Sequence, residues 1–139
     1  MNCNKLKAII LPKRLTSIGF DSFSLCYSLE QITIPSSVTS IGSMAFSECY
    51  SLSQITIPAS VKSIENGAFF NCSSLTQITI PSSVTRIESG AFQGCNRLKQ
   101  VTFADTSGWY FNPGFTKKVG AGDLASSLKA GRALYKKTR

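Results

Sequence analysis

Proline stands at positions 12, 35, 58 and 81, always 23 residues apart, and the rest of the chain keeps that beat. Cysteine falls at 3, 26, 49, 72 and 95, phenylalanine at 23, 46, 69 and 92, and isoleucine at 18, 41, 64 and 87. A fixed period of this length marks a stack of coils and excludes a single closed globule. One coil cannot bury enough apolar surface to offset the cost of ordering its backbone, so stability has to come from contacts between neighbouring coils.

The clearest unit runs from Leu29 through Ile32-Thr33-Ile34-Pro35, Val38 and Ile41-Gly42 to Ala45-Phe46 and Cys49, and it is restated over residues 52–72 and 75–95. An earlier copy over residues 6–26 has drifted, with Ile10 where later coils carry threonine, and a last one begins at Leu98 and leaves the pattern. Ile32-Thr33-Ile34 alternates apolar and polar, which predicts a short strand with one buried face. Pro35 has no N–H to give to a ladder and should end that strand. Val38 to Ile41 reads as a second extended piece. Ser43 to Glu48 reads as one helical or tight 3₁₀ turn that buries Ala45 and Phe46. Gly19 and Gly42 suggest a position open to unusual dihedrals, although Glu65 and Glu88 at the same phase show that a left-handed backbone is not obligatory there.

The Leu-x-x-Ile-x-Ile strand with its cysteine ladder resembles a leucine-rich repeat. The 23-residue spacing, the Ile-Pro-Ser-Ser-Val segment and the Ala-Phe-x-x-Cys ending are similar to one branch, the BspA-like or treponemal-type family, over about residues 4–103. Trp109 behind a Thr-Ser-Gly segment is similar to C-terminal pieces of that family. The resemblance implies a mostly bacterial, often surface-associated protein that binds other proteins and works in adhesion. The expected fold is a mostly β solenoid of 23-residue coils with short strands and short helical or 3₁₀ turns. Residues 1–104 are expected to form the solenoid and residues 105–139 an aromatic cap with a basic tail.

No run of 18 apolar residues is present to form a membrane-spanning helix, and no apolar stretch with a cleavage site near the N-terminus reads as a secretory signal. Compartment is therefore left open. The five cysteines lack the close pairing that zinc requires, and the chain has no histidine. Their equal spacing puts one in each coil, as buried structural thiols that behave as small hydrophobes. Coils about 4.8 Å apart lie near the lower limit for a disulfide, so bridging is disfavoured. No metal or cofactor is expected.

The net charge of +8 is uneven: residues 1–14 carry +4, residues 15–95 carry −3, and residues 96–139 carry +7. From Thr106 the repeat stops, and Trp109, Tyr110, Phe111 and Phe115 crowd together, as residues that cover the open end of the last coil or, alternatively, build a pocket for a sugar or peptide. Asp123 is placed to cap a short helix with Leu124, Leu128 and either Gly131 or Leu134 on one face and Lys129, Arg132 and Lys136 mostly off it. The basic segment, with Lys137, is a candidate for binding polyanions such as acidic glycans. The bland reading is a solvated, partly disordered terminus. Nucleic acid is disfavoured, since stacking aromatics are missing beyond Tyr135.

Catalytic chemistry finds no purchase. Histidine is absent, carboxylates are scattered, no Gly-x-Ser-x-Gly elbow occurs, and no glycine-rich phosphate loop appears. What recurs is the outward side of the strands: Gln31 and Thr33, Gln54 and Thr56, Gln77 and Thr79, Gln100 and Thr102. These ladders are the candidate binding face, or they merely satisfy one another along the sheet. The functional expectation is a non-catalytic module for another protein, such as a host or matrix glycoprotein. Polyanion binding by the basic ends and self-assembly into a homo-oligomer through an uncapped first coil around Cys3 and Leu6 are the alternatives.

Overall fold

The computed structural model describes residues 3–111, 114 and 117–137. Each complete coil contributes two strands, except the one over residues 52–72, which contributes one. On one side lie β1 (Ala8–Ile10), β3 (Gln31–Thr33), β6 (Gln77–Ile80) and β8 (Gln100–Phe103); on a second lie β2 (Ser17–Ile18), β4 (Ser40–Ile41), β5 (Ser63–Ile64) and β7 (Arg86–Ile87). All pair in parallel with partners 23 residues apart, as in Ile9↔Ile32, Ile41↔Ile64 and Ile78↔Val101. The repeat phase of the sequence is thus the hydrogen-bond register of the fold.

Residues 42–49 form no helix. They are a run of tight turns, with Ala45, Ser47 and Cys49 donating three residues back to Gly42, Met44 and Phe46. Between those bonds the backbone turns outward and builds a third inter-coil ladder: Met44 N–H to Asn66 O at 2.9 Å, Phe46 to Ala68 at 2.7 Å and Glu48 to Phe70 at 2.7 Å. The left-handed residues sit in these turns, at Asp21, Met44, Gly67 and Gly90 and again at Leu25, Glu48, Asn71 and Gly94. Gly42 and Gly19, expected at such a position, do not adopt it. Gly42 serves close approach instead: a Cβ there would meet the Ile18 carbonyl oxygen at 2.7 Å.

The core is a set of vertical ladders. Phe23, Phe46, Phe69 and Phe92 stack with centroids 5.4, 5.3 and 5.0 Å apart. Cys49, Cys72 and Cys95 are buried free thiols, and each donates to the carbonyl of the phenylalanine 26 residues earlier, at 3.1 to 3.2 Å. A small apolar side chain with one weak donor fits that slot. The second serine of the Pro-Ser-Ser-Val segment also ties coils, Ser37 to the Leu15 carbonyl and Ser60 to that of Val38, both at 2.6 Å.

Two expectations are corrected. Cys3 and Cys26 form a disulfide, because their Cα atoms are 4.9 Å apart, within the range that a bridge spans. The basic segment over residues 117–137 is packed rather than a solvated terminus, because its backbone joins the sheet. Its strand β10 (Leu134–Lys136) pairs antiparallel with β7 and with β9 (Trp109–Tyr110), extending the second sheet to six strands. The helix is only α1 (Leu124–Lys129), after a 3₁₀ turn at Ala121–Asp123. Asp123 holds the N-cap position without a side-chain bond, and Gly131 (φ 78°) turns the chain out of the helix, so Leu134, Arg132 and Lys136 are not helical. Trp109, Val119, Leu124, Leu128 and Leu134 are buried against the last coil, with Phe103 and Trp109 edge to face at 5.4 Å. Phe115 lies outside the described residues.

Candidate functional site

The alternation of each strand turns isoleucine inward and leaves Gln31, Thr33, Gln54, Thr56, Gln77, Thr79, Gln100 and Thr102 exposed on the outer side. Among the described residues no hydrogen bond joins these side chains to one another, so the ladders do not satisfy themselves along the sheet. Their donors and acceptors face solvent. Ile10, at the threonine phase of the drifted first coil, is 97% exposed and extends the row with an apolar end.

The row is not a continuous sheet. β1 pairs with β3 and β6 with β8, but residues 54–57 between them pair with neither neighbour. Among the described residues no backbone hydrogen bond reaches residues 54–57; the links on either side are long, Ser53 N–H to Glu30 O at 3.5 Å and Thr76 N–H to Ser53 O at 3.4 Å. A groove of about 510 Å³ opens there, lined by residues 30–34, 53–56 and Pro58. The same two coils are held together elsewhere, by the Ser40↔Ser63 pairing and by the turn ladder. Sequence reasoning missed this gap, and no signal marks it: Gln54-Ile55-Thr56-Ile57 repeats Gln31–Ile34 and Gln77–Ile80 residue for residue.

Proline does account for one local difference. Ala104 stands where the inner coils carry Pro35, Pro58 and Pro81, and its N–H reaches the Ile80 carbonyl at 3.0 Å. That extra donor lets β6 and β8 pair over four residues, against three for β1 and β3.

The secondary candidates are dispersed. Trp109 is 1% exposed and donates through Nε1 to the Asp105 carbonyl at 3.0 Å, so it is a core residue of the cap and not an open platform. Tyr110 is half-buried in β9. Lys136 pairs with Asp105 at 2.6 Å, and Arg132 lies 3.6 Å from the centroid of Phe111. Lys129 and Lys137 remain exposed. The Lys136 ammonium, with Ser107 behind it, holds the Asp105 carboxyl well below the usual carboxylate range. Arg86 bridges Glu65 at 2.7 Å and Glu88 at 3.2 Å, and the Tyr135 hydroxyl donates to Glu88 at 3.0 Å. The cations near the C-terminus are therefore partly spent on fastening the cap.

Burial pushes the Cys49 thiol up to about 12. The neighbouring Cys95 thiol and burial raise Cys72 as well. These thiols are protonated at neutral pH and chemically quiet. Among the described residues no group of histidine, cysteine, aspartate or glutamate is placed to hold a metal, and no helix is long and apolar enough to cross a membrane. One surface feature was not anticipated: Tyr27 and Tyr50 stack at 5.2 Å with Phe20 74% exposed in the same coil as Tyr27.

Comparison with known proteins agrees with this architecture. The family profile described as a BspA type leucine rich repeat region matches residues 1–109 in six copies. A leucine-rich repeat protein from Bacteroides ovatus ATCC 8483 superposes with a TM-score of 0.67 at 40% identity, over 72% of this chain and 26% of its own. One from Bacteroides capillosus ATCC 29799 gives 0.65 at 30% identity, over 73% of this chain and 79% of its own. A leucine rich cell surface protein from Faecalibacterium prausnitzii A2-165 gives 0.61 at 33% identity, over 81% and 36%. The chain thus spans about a quarter of the length of the first of these. Comparison by sequence with curated proteins finds no match.

Proposed function

The chain belongs to the BspA-type leucine-rich repeat family, and we propose that it is a non-catalytic module that binds another protein through the Gln/Thr strand face. The partner class is a host or matrix glycoprotein, and the role is adhesion. The observation that carries this reading is the row of eight exposed glutamine and threonine side chains on one face, with no hydrogen bonds among them. A neutral, hydrogen-bonding surface on a rigid stack loses little entropy on docking. The description of one similar protein as a cell surface protein supports the adhesive role.

The test is binding to a panel of matrix glycoproteins, heparin and DNA at low and physiological salt. Saturable, salt-tolerant binding to a protein, lost in Thr56→Arg and Thr79→Arg while the circular dichroism spectrum is unchanged, is the expected result. Unchanged affinity in both variants removes the strand face as the site. Binding only to heparin or DNA, erased by salt, transfers the function to the exposed cations such as Lys129 and Lys137.

A further inference from the structure

We propose that the step between Tyr50 and Ser73 binds one pyranose unit of an uncharged β-linked glycan, which continues the tyrosine ladder as its third ring. The step shares no residue with the Gln/Thr strand face, so the two readings fail by separate variants.

One column of the repeat makes the step. Positions 27, 50, 73 and 96 carry tyrosine, tyrosine, serine and asparagine. Tyr27, Ser73 and Asn96 share one local turn, each N–H donating to the carbonyl two residues back at 2.8 to 2.9 Å, so the column runs straight up the stack. Tyr27 and Tyr50 fill its first two places with rings 5.2 Å apart and 6° from parallel. The third place holds only the hydroxymethyl group of Ser73. Coils follow one another here at 5.3 and 5.0 Å in the phenylalanine ladder, so two full repeats separate the Tyr50 ring from Asn96. That is the room a flat six-membered ring takes when it stacks on Tyr50. Tyr50 is 41% exposed, whereas Trp109 is closed inside the cap.

Polar groups surround that place. Asn71 lays its carboxamide across the next coil, where a Cβ on Gly94 would collide with Asn71 Oδ1. Asn96 is exposed at the far side. Among the described residues neither amide group nor the Ser73 hydroxyl has a hydrogen-bond partner. On the near side the Tyr50 hydroxyl donates to Glu48 Oε2 at 2.6 Å, which holds the ring and leaves carboxylate lone pairs free to accept more. An apolar ring face beside amides, a hydroxyl and a carboxylate complements a saccharide, whose C–H face is apolar and whose rim of hydroxyls both donates and accepts. A purely aromatic ligand would leave that polar rim unpaired. The Glu48 charge works against uronic and sulfated sugars. A β-linked gluco-configured ring fits best, because its hydroxyls all lie equatorial and both of its faces are free to stack.

The probe is cellotetraose, titrated into the whole chain and followed by NMR. The expected result is saturable binding, equal at low and physiological salt, with shifts centred on the Tyr50, Asn71, Ser73 and Asn96 amides. Tyr50→Ala should weaken it about tenfold or more, and Tyr50→Phe, which keeps the ring, by no more than about threefold. Ser73→Tyr puts a ring of the chain's own into the third place and should abolish binding while the circular dichroism spectrum stays that of the parent. Absence of saturation overturns the proposal, as does a folded Ser73→Tyr or Tyr50→Ala with unchanged affinity. Shifts confined to the Gln/Thr rows would move the sugar to the strand face and refute the step.

Discussion

The phenylalanine ladder offers the sharpest quantitative test of whether this molecule is held together coil by coil. Phe69 stacks on Phe46 at 5.3 Å and on Phe92 at 5.0 Å, with interplanar angles of 5° and 13°. Among the described residues Phe23 stacks on Phe46 alone, at 5.4 Å, and is 8% exposed where the inner rings are fully buried. Truncating a buried phenylalanine to alanine costs about 3–5 kcal/mol, and one aromatic pair contributes about 0.5–1.5 kcal/mol beyond area burial. Phe69→Ala should therefore cost about 4–5 kcal/mol, having lost two ring contacts and left an enclosed cavity. Phe23→Ala should cost about 3 kcal/mol. Domains of this kind have about 5–15 kcal/mol in total, so the inner change takes much of what holds the chain folded.

Leucine substitutions isolate the ring term, because they keep most of the volume. A double-mutant cycle on Phe46→Leu and Phe69→Leu, read by urea denaturation, should give a coupling of about 0.5–1.5 kcal/mol. The cycle on Phe23→Leu and Phe69→Leu, which share no contact, should give a coupling within about 0.5 kcal/mol of zero. Equal coupling in the two cycles would refute the nearest-neighbour reasoning and mean that the stack responds as one body.

Three further outcomes follow from the core and the cap. The Cys49 thiol, raised by burial from its ordinary value of 9.0 to about 12, stabilises the fold fully below pH 9 and loses that contribution as pH rises toward 12; the urea midpoint should fall across this window, and Cys49→Ala should flatten the fall. Asp105, depressed first by Lys136 and then by Ser107, contributes stability that is present above about pH 4 and lost only as pH drops through its lowered value; Trp109 emission should report the acid release of the cap, and Lys136→Met should move the midpoint to higher pH. Gly131→Ala meets both a left-handed φ of 78° and Gln93 Cβ at 3.0 Å, so it should lower stability by about 1–3 kcal/mol by thermal denaturation; an unchanged melting temperature would show that the turn after α1 relaxes freely.

The 23-residue beat made the coil legible because each ladder is one residue type at one phase. Phenylalanine and cysteine could be placed in the core from their spacing alone, and the Gln/Thr alternation placed the outer face. What was not legible depends on distances between coils, which the beat does not encode. Cys3–Cys26 and Cys49–Cys72 have the same separation in sequence, yet only the first pair is bridged. The strand in the tail is illegible for a different reason. Leu124, Leu128 and Lys129 carry a true helical pattern, but Gly131 ends it, and Leu134 then finds Ile87 across an antiparallel pair. A helical spacing of leucines cannot say where an open sheet edge will capture the chain.

The gap at residues 54–57 sharpens the same point. Three coils carry Gln-Ile-Thr-Ile, yet one of the three stands free of both neighbours. Identical local sequence cannot produce that difference, so it arises from the stack. Turn ladders and the second sheet clamp successive coils at two places, while on the strand side the ladder closes in pairs, β1 with β3 and β6 with β8. At the last pair Ala104 adds a bond that the prolines elsewhere forbid, drawing β6 toward β8 and away from residue 57. Replacing Ala104 with proline should therefore loosen β6 from β8 and let it close on residues 54–57, with hydrogen exchange slowing at Gln77 and Thr79. Unaltered exchange at those two amides would refute this account of how the opening is made.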